Sequence, residues 1–133
     1  MDAMSPEIFW LAATAVATAL MWLPYILWLI AERGLLPALM DGEHDIVYRI
    51  PWAARAQRAH ANAIENLAVF AALVAAVKLA DAGNTATATA AAIFFFARMA
   101  HFAVYCAGLP FVRTALFFVG VTCQLVLGGA ILL

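Results

Sequence analysis

Between Ile8 and Ala31 the chain runs without one charged side chain. Three further apolar stretches follow, about 52–80, 85–107 and 110–132. About 20 apolar residues cross the hydrocarbon of a bilayer, so each stretch is long enough for a membrane helix. Composition decides between such helices and a soluble core. The sequence is 68% hydrophobic and 11% charged, whereas a soluble domain averages about 45–50% and about 25%. No globular core of 133 residues can hide that excess. The fold expected is all-α and integral to the membrane: a single four-helix bundle with spans at about 6–31, 52–80, 85–107 and 110–132.

Local signals set the boundaries. Ser5 is a candidate N-cap, and Pro6 suits the first helical position. Pro24 lies inside the first span and predicts a kink, because proline has no N–H for the carbonyl four residues back. Trp10 near one end, and Trp22, Tyr25 and Trp28 towards the other, fit aromatic belts at the two interfaces. The polar connection is 32–51, with Asp-Gly and two prolines; Leu35–Met40 within it is a candidate interfacial segment. Its acids Asp41, Glu43 and Asp45 offset its bases, so it is no polybasic lipid patch. Asp81–Asn84 and Gly108–Pro110 read as tight turns, which make spans two to four antiparallel neighbours. Alanine-rich segments at 71–77 and 86–92 permit close helix approach.

Charge gives an orientation. Arg33, Arg49, Arg55, Arg58 and Arg113 gather on one side, with Arg98 leaning towards it, against Lys78 alone on the other. The positive-inside rule places the arginine-rich side in the cytoplasm and both termini opposite. An inner membrane of a bacterium is the expected location. A formal net charge of −1 gives no reason to expect a nucleic-acid partner. Cys106 and Cys123 lie within apolar runs and read as small buried residues, not as a disulfide or metal pair. No basic residue precedes the first apolar run, which argues against a signal peptide.

Two polar stripes interrupt this apolar pattern. The second span opens with Arg58, Asn62 and Glu65 at i, i+4 and i+7, with Arg55 one turn earlier. The third closes with Arg98, His101 and Tyr105 at i, i+3 and i+7. Antiparallel packing brings both stripes to similar depth, with Arg113 just beyond the last turn. Polar groups at membrane depth are costly and normally face a bundle interior or a water-filled cavity. One reading is structural: Glu65 pairs with Arg58 or Arg98, and Asn62 bonds across an interface. The other is a ligand site, since Arg58, Arg98 and Arg113 outnumber Glu65 and suit an anionic ligand. His60 points off the stripe and reads as a packing residue; Arg49 and Arg55 read as headgroup anchors.

The pattern R-A-x-x-N-x-x-E (Arg58, Ala59, Asn62, Glu65) with A-R-x-x-H-x-x-x-Y (Ala97, Arg98, His101, Tyr105) resembles the MAPEG family, the membrane-associated proteins in eicosanoid and glutathione metabolism. The segment 98–120 looks most like the corresponding part of microsomal glutathione transferases. The resemblance covers roughly residues 52–124. It implies a homotrimer of four-helix subunits in membrane lipid, with glutathione as co-substrate bound between subunits near the cytoplasmic face, and no metal. Arg58, Asn62 and Glu65 would contact the peptide, and Arg98, His101 and Tyr105 would line the other wall. Arg113 would stand beside the thiol as the catalytic residue. The activity implied is conjugation of a lipophilic electrophile, with a glutathione-dependent peroxidase activity as a companion. Ala61, Asn66 and Phe117 depart from residues that some members carry. The alternative is therefore a non-catalytic lipid-binding or scaffolding protein of the same fold. A small four-helix exporter is disfavoured, because the first span has no acid between Ile8 and Ala31.

Overall fold

The computed structural model describes residues 4–40 and 50–133. Six helices follow in order: α1 (Pro6–Leu20), α2 (Leu23–Arg33), α3 (Leu35–Met40), α4 (Pro51–Leu79), α5 (Thr85–Ala107) and α6 (Pro110–Leu132). The first two together, and each of the last three, are long and apolar enough to cross a membrane, so the described residues hold four spans. The protein is a multi-pass integral membrane protein with an all-α bundle.

The first span breaks at Met21–Trp22, just before Pro24. Proline leaves the carbonyl of Leu20 without its usual donor, and Met21 N turns back to Thr18 O in a tighter bond of 3.2 Å. Behind this break, the Tyr25 hydroxyl lies 2.7 Å from His60 Nδ1, tying α2 to α4. His60 is thus engaged in packing, as its position off the polar stripe predicts. Gly34 ends α2 at φ +87°, a conformation that favours glycine. Beyond it, α3 exposes Leu35, Leu36, Leu39 and Met40. Asp41, Glu43, Asp45 and Arg49 of the polar connection lie outside the described residues.

At the opposite end, Asn84 caps α5. Its Oδ1 accepts from Ala86 N (2.8 Å) and Thr87 N (3.1 Å), and its own N–H donates to Thr87 Oγ1. The Thr87 hydroxyl in turn donates to Glu7 Oε1 at 2.6 Å, which fastens the start of α1 to the start of α5. Glu7 is buried. The charge-free run from Ile8 thus has an internal acid directly before it.

Two apolar clusters hold the bundle. In one, Phe70 and Phe94 stack at 4.0 Å with planes 15° apart, among Val74, Val77, Ala91, Cys123 and Leu127. The other joins Tyr25 and Leu29 to Ala53 and Ala56. Small residues on α4 let α2 approach closely. Outward, α6 exposes Phe111, Phe118, Leu125 and Leu132, spaced by sevens along one face, as a surface in lipid requires. Cys106 and Cys123 are both free.

Candidate functional site

The polar stripes meet where α5 ends, α6 begins and the first half of α4 passes between them. Arg55 helps set this geometry. Its Nε donates to the Cys106 carbonyl at 2.9 Å, so the guanidinium caps the C-terminus of α5, where the helix dipole favours a cation. Arg55 thus has a contact within the bundle besides the headgroup role expected for it. Gly108 then turns the chain at φ +79°, and Pro110 starts α6 so that Arg113 falls in its first turn.

A cleft of about 230 Å³ opens here, lined by Asn62, His101, Tyr105, Arg113, Thr114 and Phe117. The Arg113 guanidinium stands over the Tyr105 ring, 4.5 Å from its centroid. The same ring meets His101 in a T-shaped contact at 5.6 Å. Tyr105 thus touches both a cation and an imidazole. The Thr114 hydroxyl bonds back to Pro110 O at 2.9 Å, leaving its lone pairs free. Among the described residues no carboxylate lines the cleft.

Arg98 lies beneath this cleft rather than on its wall. It is 2% exposed, and its Nη2 donates to Asn62 Oδ1 at 2.6 Å. Its Nε and Nη1 are buried with no protein partner among the described residues, and so is His101 Nδ1. Asn62 belongs to a polar ladder within the bundle: Asn66 Nδ2 donates to the Asn62 carbonyl (2.9 Å), and Gln124 Nε2 to the Asn66 carbonyl (3.3 Å). Arg98 also packs near Gly120, where a Cβ would sit 3.7 Å from its Cδ.

Arg58 and Glu65 are exposed in the single subunit and do not line the cleft. Asn62 and Glu65 are three residues apart, hence about 60° apart around the helix. That angle separates a residue turned into the bundle from one turned out of it. Among the described residues Glu65 forms no ion pair with Arg58 or Arg98, so the structural pairing that the sequence leaves open is not what holds this subunit together. The structure thus gathers Asn62, His101, Tyr105 and Arg113, places Arg98 behind them, and leaves Arg58 and Glu65 on an outer face. Thr114 was not among the sequence candidates. Only its place beside Arg113 in the first turn of α6 could have suggested it.

No curated protein and no solved structure matches the chain. Residues 8–133, nearly its whole length, match the MAPEG family. That match carries the coarse role of the family, in eicosanoid and glutathione metabolism. With the four spans and the antiparallel polar stripes in place, the chain belongs to the MAPEG family.

Proposed function

We propose that the protein is a membrane-bound glutathione transferase that conjugates lipophilic electrophiles, and that it works as a homotrimer. The observation that carries the reading is the cleft: an arginine over a tyrosine ring, donors on its walls and no carboxylate among the described residues, in a member of this family. A free thiol has a pKa near 8.5, and Arg113 favours the thiolate, the nucleophilic form. The thiolate sulfur attacks the electrophilic carbon. A C–S bond forms, and the displaced group leaves with its electron pair. The electrophile reaches the site through the bilayer. A hydroperoxide in its place is attacked at its terminal oxygen: the O–O bond breaks, the alcohol leaves, and a second glutathione converts the sulfenic acid formed on the first into the disulfide and water, which is the companion peroxidase activity. His101 and Tyr105 position the peptide, and Asn62 donates to it.

The number of subunits rests on the family, but association as such is supported by the outer face of α4. Glu65 lies about 21 Å along the helix from Pro51, at 1.5 Å per residue. The helix of 29 residues is about 43 Å long, only about 13 Å longer than the hydrocarbon is thick. Even with all of that excess at one end, Glu65 sits within the hydrocarbon. An exposed carboxylate at that depth must be covered by protein or ligand. A neighbouring subunit provides the cover, and Arg58 and Glu65 then join the site from its edge, with Glu65 taking the glutathione ammonium group. The cytoplasmic side is the arginine-rich one, and both termini lie opposite.

The test is glutathione binding to the detergent-purified protein, by calorimetry and by ultraviolet absorbance of the bound thiolate. Saturable binding is expected, with the thiolate signal lost in Arg113→Ala. A folded, oligomeric protein that binds nothing at millimolar glutathione would sink the proposal and leave the cleft to an anionic lipid headgroup.

A further inference from the structure

The buried Arg98 guanidinium has a consequence for the two neutral side chains above it. We infer that Arg98 is a positioning residue that sets the polarity of two side chains of the cleft, fixing the Asn62 amide and the His101 tautomer so that both present N–H to the ligand. The inference deepens the glutathione reading and rests on it for the identity of the ligand, but the polarity of the cleft can be measured without any ligand.

For Asn62 the argument is chemical. A guanidinium has only donors, so the amide atom 2.6 Å from Arg98 Nη2 must be the oxygen. The amide cannot flip without setting donor against donor around a buried cation. Its Nδ2 makes no hydrogen bond within the subunit among the described residues, and Asn62 lines the cleft. The amide therefore offers its two N–H groups there and hides its acceptor.

For His101 the same cation decides. The residue is 2% exposed, and its Nδ1 is buried without a partner. A proton on Nδ1 would be an unsatisfied buried donor, one helical turn from the Arg98 guanidinium. A bare lone pair on Nδ1 beside a cation costs less. The proton belongs on Nε2, the nitrogen left to serve the cleft that His101 lines. Together with Arg113, these groups confront the ligand with N–H donors, and the nearest carboxylate of the polar cluster, Glu65, lies off the cleft wall. Where these three donors converge, a ligand group that only accepts, a carboxylate or a thiolate, is favoured over its amide. Arg98 acts on that choice without touching the ligand.

The test has two arms. In the first, protein labelled with ¹⁵N-histidine is measured in micelles without ligand, and His101 is assigned by its loss in His101→Gln. The Nε2–H tautomer is expected in the wild type. An Nδ1–H tautomer overturns the inference, whatever glutathione does. The second arm compares glutathione with its diamide, in which both carboxylates are amidated, by calorimetry. The wild type should prefer the acid, and Arg98→Met should cut that preference by about tenfold, the scale of one hydrogen bond to a charged acceptor. Arg98→Lys, which keeps a cation under Asn62, should restore most of it. Asn62→Asp, which pairs with Arg98 and turns an acceptor towards the cleft, should cut the preference as Arg98→Met does. A purely structural Arg98 would weaken both ligands alike and leave the ratio unmoved, which would overturn the inference. If Arg98→Met fails to fold, Asn62→Asp and the tautomer decide. A wild type with the Nε2–H tautomer and no glutathione binding would refute the transferase reading alone.

Discussion

The Tyr105 ring touches both Arg113 and His101, so its ring and its hydroxyl can be tested separately. Replacing it by phenylalanine keeps the ring under the guanidinium, 4.5 Å away, and the T-shaped contact at 5.6 Å. Only the hydroxyl goes, and it makes no hydrogen bond within the described residues. Replacing it by leucine removes both ring contacts. A partly desolvated cation–π contact is worth about 1 kcal/mol, and an edge-to-face aromatic pair about 0.5–1.5 kcal/mol. At 1.36 kcal/mol per decade, loss of the first alone lowers the population of correctly placed Arg113 about fivefold. The assay is the bound-thiolate absorbance at subsaturating glutathione, followed by a double-mutant cycle with Arg113→Gln read from calorimetric glutathione affinity, because the thiolate signal goes with Arg113. Tyr105→Phe should stay within about twofold of the wild type. Tyr105→Leu should lose about fivefold or more, and the cycle should return a coupling of about 1 kcal/mol. If Phe is as damaging as Leu, the hydroxyl and not the ring is what the site uses. If Leu and Arg113→Gln are simply additive, the contact over the ring does not hold Arg113.

Three further substitutions probe the frame around the site. Gly108→Ala places a Cβ at φ +79°, 3.2–3.3 Å from the Arg55 guanidinium. The left-handed backbone and disturbance of the Arg55–Cys106 bond together cost about 2–4 kcal/mol, which should appear as a lower midpoint in detergent unfolding; a midpoint equal to the wild type's would refute the capping role of Arg55. Phe70→Ala empties a fully buried site against Phe94. Water-soluble cores lose about 3–5 kcal/mol on such a change, but part of that is transfer from water, which a chain unfolded within lipid does not regain. About 2 kcal/mol is therefore expected by steric-trap or denaturant unfolding, and a value above about 4 kcal/mol would contradict the lipid reference state. Thr87→Val removes the donor to the buried Glu7 carboxylate, which should cost about 1–3 kcal/mol. A Glu7→Gln background should reduce that loss, because the carboxylate left unsatisfied is then gone.

What could be read from the chain depended on whether one helix sufficed to interpret it. The spans could be read, because apolar length and composition are properties of a segment by itself. So could the break near Pro24, since a missing N–H acts four residues back along the same helix. The convergence of Asn62, His101, Tyr105 and Arg113 needed only two short turns, which force α4, α5 and α6 to lie side by side. Glu7 is different. It sits at the edge of its apolar run, and its burial requires that α1 begin beside the N-terminus of α5, a pairing of spans separated by the whole of α4. Arg55 likewise meets a carbonyl at the far end of another helix.

The polar stripes show the limit most clearly. Periodicity fixes the angle of a side chain about its own helix but does not say which neighbour covers that angle. Arg98, His101 and Tyr105 share a face of α5. Yet Arg98 is turned under Asn62, His101 is nearly enclosed, and Tyr105 reaches the cleft. On α4, a rotation of about 60° takes the pattern from Asn62 inside the bundle to Glu65 outside it. The arginine surplus counted in the sequence therefore does not act as one charge. Arg98 is enclosed and bonded to Asn62, Arg113 lines the cleft, and Arg58 is exposed on an outer face of the single subunit. Three arginines that the sequence counts alike thus have three surroundings, and only the packing of the bundle separates them.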